Sequence, residues 1–148
     1  MKLSPHFSLI EFTRSTVLNE YNKKVSDISD LVVNWPSKAE RDWLQYLCIN
    51  VLEPLRTMVG HPIYINSGYR CPWLNKLVGG IEDSQHLCGQ AADIHIEDEN
   101  DGIMIFSALR TIKYVDRALY EHKDGITWVH VSVSPNPHQY YNSQYIAQ

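Results

Sequence analysis

No stretch of this chain is apolar for long enough to cross a bilayer. The opening Met1-Lys2-Leu3 runs straight into Ser4-Pro5-His6, without the hydrophobic segment of a signal peptide. The expectation is a protein with no membrane span, made in the cytoplasm without a signal peptide. It would reach any site of action outside the cell only after lysis or by non-classical release. Cysteine is scarce as well: Cys48, Cys71 and Cys88 form no spaced framework, and their odd number leaves at least one thiol free, which argues against a disulfide-stapled secreted scaffold. Positive charge is in deficit, with 13 Lys and Arg against 17 Asp and Glu and a formal net charge of -4, so there is no electrostatic case for a nucleic-acid partner. Internal repeats and low-complexity linkers are missing too. What is present is 148 residues, 44% of them hydrophobic. That is enough for a single domain spanning 1–148, expected as a monomer, that buries about two-thirds of its unfolded surface.

Ser8 followed by Glu11 has the spacing of a capping box and predicts a short helix at Leu9-Ile10-Glu11-Phe12. The polar, weakly patterned segment from Thr16 to Trp35 reads as an irregular excursion, either a solvated loop or a lid. Ser37 caps the longest predicted helix, from about Lys38 to Val59, where Trp43, Tyr46, Leu47, Val51, Leu55 and Met58 keep a three-and-four spacing. Pro54 should kink that helix and Gly60 should close it. A short strand at 63–66 leads into Ser67-Gly68-Tyr69-Arg70, which leaves an arginine at the strand's end, and Pro72 opens two helical turns. The acidic cluster Glu97, Asp98, Glu99 and Asp101 lacks the spacing of a calcium loop and suits the start of a helix through Ile112.

The chemistry concentrates between Ser84 and Ile96. His86 precedes Gly89, which can supply a sharp turn, while Asp93 and His95 lie in an apolar alternation that reads as a strand. Two nitrogens and a carboxylate are the donor types of a catalytic zinc site. A further ligand has to come from elsewhere, and His130 in Ile-Thr-Trp-Val-His-Val-Ser-Val, another strand-like run, is the best candidate. That run pairs with the one before it through Asp124-Gly125, a two-residue hairpin signal. The implied register sets Lys123 opposite Ile126, Glu121 opposite Trp128 and Leu119 opposite His130. Glu121 and His130 then share one face, about 7–8 Å apart along the diagonal. The tail from Pro135 should wrap the surface, with no partner evident for His138.

Four separated motifs occur in order: Ser-Gly-Tyr-Arg-Cys-Pro-Trp-Leu-Asn (67–75), Val-Gly-Gly (78–80), Ser-Gln-His-Leu-Cys-Gly-Gln-Ala-Ala-Asp-Ile (84–94) and Trp-Val-His-Val-Ser (128–132). Together with the opening Leu-Ser-Pro-His-Phe-Ser-Leu-Ile-Glu-Phe-Thr-Arg-Ser and Leu-Glu-Pro-Leu-Arg (52–56), they resemble the zinc D-alanyl-D-alanine carboxypeptidase family. That family includes L-alanyl-D-glutamate endopeptidases of phage lysins and shares its fold with the hedgehog signalling domain. The resemblance implies zinc held by His86, Asp93 and His130, substrate contacts at Arg70 and Ser84, and a peptidoglycan peptide containing D-amino acids as substrate. His95 matches no family ligand and remains the local alternative. Several members carry their catalytic acid three residues before the last histidine, where this chain has Thr127, which cannot act as a base. Glu121 is the expected replacement, with Asp124 and His122 next in line. Two non-catalytic readings stand beside the hydrolase: a zinc-binding module without turnover, and a structural component of a phage particle. The expected fold is α+β, a small, mostly antiparallel sheet with strands near 63–66, 92–96, 115–121 and 127–133, the long helix on one face and the zinc site on the other.

Overall fold

The computed structural model describes residues 1–144. At its start β1 (Lys2–Ser4) and β2 (Phe7–Ser8) form a small two-stranded sheet, followed by α1 (Leu9–Thr13). Ser8 closes the expected capping box with Glu11 at the entry of α1. The segment read as irregular instead contains α2 (Thr16–Lys23) and a short 3-10 turn at Ile28–Asp30. Ser15 caps α2 by accepting a hydrogen bond from the Leu18 N–H, and Leu18 is the one α2 residue buried.

The long helix runs from 38 to 59 in three parts, α3 (Lys38–Leu47), a π turn at Cys48–Leu52 and α4 (Glu53–Val59), and Gly60 ends it. Pro54 does interrupt it, but on its N-terminal side. Proline has no N–H to donate back along the helix, and the preceding turn widens so that Glu53 N–H bonds the Cys48 carbonyl five residues back. Beyond it come β3 (Ile65–Ser67), α5 (Pro72–Leu77), β4 (Ala91–His95), α6 (Glu99–Leu109), β5 (Arg117–Lys123), β6 (Ile126–Ser132) and β7 (Tyr140–Asn142).

The main sheet has the order β3-β4-β6-β5-β7 and is antiparallel except where β7 joins β5 in parallel. Asp124 and Gly125 both adopt positive φ, 52° and 78°, as the tight turn between twisted strands demands. The turn sets the expected register, with Glu121 opposite Trp128 and Leu119 opposite His130. Strand limits shift by one or two residues from those predicted, and β3 begins two later, at Ile65. On one face Ala92, Ile94, Val129 and Val131 join Leu44, Leu47, Val51, Leu52 and Leu55 of the long helix in a single apolar core. The opposite face carries Asp93 and His130. The architecture is thus α+β, as expected.

From Pro135 to residue 144 the tail is held more specifically than a surface wrap, and its last four positions lie outside the described residues. The His138 N–H and ring Nδ1 lie 2.9 and 2.6 Å from Asp116 Oδ1, and the Gln85 side-chain amide donates to Oδ2 at 3.0 Å. Burial raises the Asp116 pKa, but hydrogen bonds from His138 and Gln85 outweigh it and the net shift is downward. A carboxylate with a depressed folded pKa stabilises above its unfolded value near ~3.9, and that contribution is lost as pH falls through the folded value. Asp116→Asn should therefore lower stability to urea at pH 7 by about 1–3 kcal/mol. The gap from the unmodified protein should narrow at pH 3, and equal gaps at both pH values would remove Asp116 from the pH-linked stability.

Candidate metal centre

β4 and β6 place Asp93 directly opposite His130. Side chains alternate along a strand, so burying Ala92, Ile94, Val129 and Val131 on the helical side obliges Asp93 and His130 to face the other way. His86 arrives from a one-turn 3-10 helix, Gln85–Cys88, whose N-cap is Ser84: its Oγ accepts the His86 N–H at 3.2 Å. Gly89 leaves that turn with φ 75°, and a Cβ there would run into the Glu40 carbonyl oxygen. Only glycine meets both conditions.

These three residues form the group among the described residues able to hold a metal ion. One ligand atom from each of His86, Asp93 and His130 lies within 4.8 Å of the others. His86 Nε2 is 3.3 Å and His130 Nδ1 2.9 Å from the same oxygen, Asp93 Oδ1. Those separations are close to the ~3.4 Å edge of a tetrahedron with ~2.1 Å bonds, the usual length for zinc and nitrogen. Tautomer chemistry supplies a stricter test. His86 Nδ1 sits 2.6 Å from the Gly68 carbonyl, which can only accept, so Nδ1 carries the proton. The Nε2 of a neutral ring is then a lone pair directed at a carboxylate, an arrangement that a shared cation stabilises. The residues present therefore fit a metal.

Burial opposes ionisation of Asp93, but the His86 and His130 rings outweigh it and hold the carboxyl well below the usual range. Glu121 Oε1 lies 3.8 Å from His130 Nδ1, on the same buried face. Burial pushes its carboxyl up, and Asp93 adds to this against the opposing pull of His130, Arg70 and Arg117. The hairpin therefore brings the expected acid to the site. The fallback residues sit elsewhere. His122 Nδ1 is 3.0 Å from Thr127 Oγ1, both on the helical side of the sheet, and Asp124 is exposed in the turn. With Thr127 one step out of phase with His130, an acid at 127 would face away from the ligands in this register. His95 is partly exposed and pairs with Glu97 at 3.3 Å, outside the ligand group.

Arg70 closes one side of the site. Its Nη2 is 3.3 Å from Asp93 Oδ2, its Nε donates to Ser67 Oγ at 3.1 Å and its Nη1 to Asn75 Oδ1 at 3.2 Å. Asn75, buried in α5, also donates to the Ile81 carbonyl at 2.8 Å and so ties the arginine to the loop before Ser84. Buried Asn34 donates to the Thr13 and Tyr69 carbonyls and accepts the Cys71 N–H at 2.7 Å. Sequence reasoning singled out neither asparagine for a role. Asn75 lies inside a quoted motif, but nothing in the spacing links it to Arg70, and Asn34 sits in the segment taken as irregular. The backbone that presents the Gly68 carbonyl is itself wedged against α1: a Cβ on Gly68 would come within 2.7 Å of Phe12, and the Tyr69 N–H donates to the Phe12 carbonyl at 2.7 Å.

Comparison with known proteins gives one positive finding. The family model described as Peptidase M15 matches residues 14–132, a span that takes in His86, Asp93, Glu121 and His130. No curated protein matches the chain.

Proposed function

The chain belongs to the Peptidase M15 family of metal-dependent peptidases, and from that premise we propose that it is a zinc peptidase of bacterial cell walls, hydrolysing an amide bond in peptidoglycan peptides that contain D-amino acids. The observation that carries this reading is the convergence of two imidazoles and one carboxylate, with a second buried carboxylate beside them. His86, Asp93 and His130 are the zinc ligands. Bound there, zinc supplies a Lewis acid that polarises the scissile carbonyl and makes water a competent nucleophile near neutral pH.

The chain's own residues do the rest. Glu121 takes a proton from the attacking water as the new C–O bond forms. It returns that proton to the departing nitrogen as the C–N bond breaks, and the acid's remaining proton passes to the freed amine, leaving a carboxylate and an ammonium. Its raised pKa suits a group that must both accept and release a proton. Arg70 is the main substrate contact, since three of its N–H groups are already fixed by Ser67, Asn75 and Asp93 and its guanidinium stays charged while binding an oxyanion or carboxylate. Ser84 is the second contact: its oxygen accepts from His86, and its hydroxyl proton remains for a substrate oxygen.

Purified protein with zinc and peptidoglycan fragments is expected to release new amino termini. Chelation should stop the release and added zinc restore it. Stoichiometric zinc without release would make the chain a binding module, and no zinc at all would overturn the whole reading.

A further inference from the structure

A pocket of about 230 Å³ opens beside the metal centre, between the start of α2 and the end of β3, and Arg70 forms part of its wall. Arg14, Ser15 and Thr16 line it on one side and Asn66 and Ser67 on the other, with Leu74 among its apolar wall residues. No acidic residue lines it, although the chain as a whole is acidic. Arg70 is engaged by Asp93, Ser67 and Asn75, whereas the Arg14 guanidinium has no hydrogen-bond or ion-pair partner among the described residues. The wall at Ser15, Thr16 and Val17 is the entry of α2, where the leading N–H groups lack helical acceptors.

We infer that this pocket is an anionic subsite that takes a carboxylate of the peptide, with Arg14 as the residue that sets specificity for it. The inference rests on the peptidase reading of the neighbouring centre and extends it. The cavity joins an unpaired cation and several hydroxyls to an apolar wall, so its lining suits a short carbon chain ending in a charged group. A neutral amide in the same place would leave the Arg14 charge unanswered and lose the charge-assisted pair. Arg70 lines the pocket and also bonds the Asp93 carboxylate, so one residue borders both places and an occupant of the pocket can belong to the molecule being cleaved. The carboxylate can come from an acidic side chain or from the chain terminus. Both present the same group.

The test uses zinc-loaded full-length protein and two pairs of acetylated alanine-containing peptides. One pair differs as glutamate against glutamine, the other as free C-terminal acid against C-terminal amide. For each peptide kcat/KM is measured, and binding to the zinc-free protein is measured by calorimetry. One of the pairs is expected to show a preference for the acid of about two- to fivefold, since Arg14 is solvent-exposed. Arg14→Gln should bring that ratio close to one, and Arg14→Lys should restore part of it. A structural defect would depress both members of a pair alike and leave their ratio intact. Preferential binding of the acid that is lost in Arg14→Gln, without turnover of any peptide, would support the subsite while the peptidase reading fell. Turnover with no acid preference in either pair, or a preference that survives Arg14→Gln, would overturn the subsite.

Discussion

Glu121→Gln is expected to abolish hydrolysis, lowering kcat by about 10²–10⁴-fold, while the protein keeps its full complement of zinc. Glutamine has nearly the same shape and fills the same buried space opposite Trp128, so the hairpin and the ligand positions should persist. The amide cannot take a proton from water. Glu121 Oε1 lies 3.8 Å from His130 Nδ1, close enough for its carboxylate to reach a water shared with the candidate site. Measuring kcat alongside zinc content by atomic absorption separates the two properties. Undiminished turnover in this variant would take Glu121 out of the mechanism. Zinc lost together with activity would instead make Glu121 a determinant of the metal site.

Asp93→Asn is expected to cost the metal itself. Both histidine nitrogens and Arg70 converge on this one carboxylate, at 3.3, 2.9 and 3.3 Å. It is the anion that allows two imidazoles and a guanidinium to share a buried space. An amide removes that charge and leaves the Arg70 guanidinium without the anion it pairs with. Zinc affinity should fall by more than about 100-fold, beyond the loss that typically follows from disturbing an outer-shell partner. The zinc-free variant should also be less stable by about 3–5 kcal/mol, the usual penalty for leaving buried charge uncompensated. Competition with a chromophoric chelator measures the first effect and urea unfolding of metal-free protein the second. A variant that binds zinc like the parent would exclude Asp93 as a ligand.

The geometry of the candidate site was largely legible in the sequence because much of it is written in short-range rules. Asp-Gly with strand-forming runs on either side fixes a two-residue turn, and once that turn is fixed, counting places Glu121 and His130 on one face. The alternation around Asp93 likewise sets which of its neighbours go inward. That His86 and Asp93 would meet His130 rested on resemblance, since no local rule brings β4 alongside β6. Other features were hidden for physical reasons. α2 buries only Leu18, and its other ties, Tyr21 against the Trp73 ring and Asn22 to the Val32 backbone, lie with distant residues. His138 finds Asp116 across 22 positions, and Asn34 binds carbonyls from two distant turns. Such side-chain to backbone ties follow no periodicity and become visible only when the chain is folded.

The Gly68 carbonyl decides which nitrogen of His86 is free, and Phe12 decides where that carbonyl stands. A residue of the apolar interior thus supports the backbone on which the His86 ring rests, without itself reaching the candidate site. Titrating variants with smaller side chains at position 12 with different divalent ions would read tightness of packing as a binding constant.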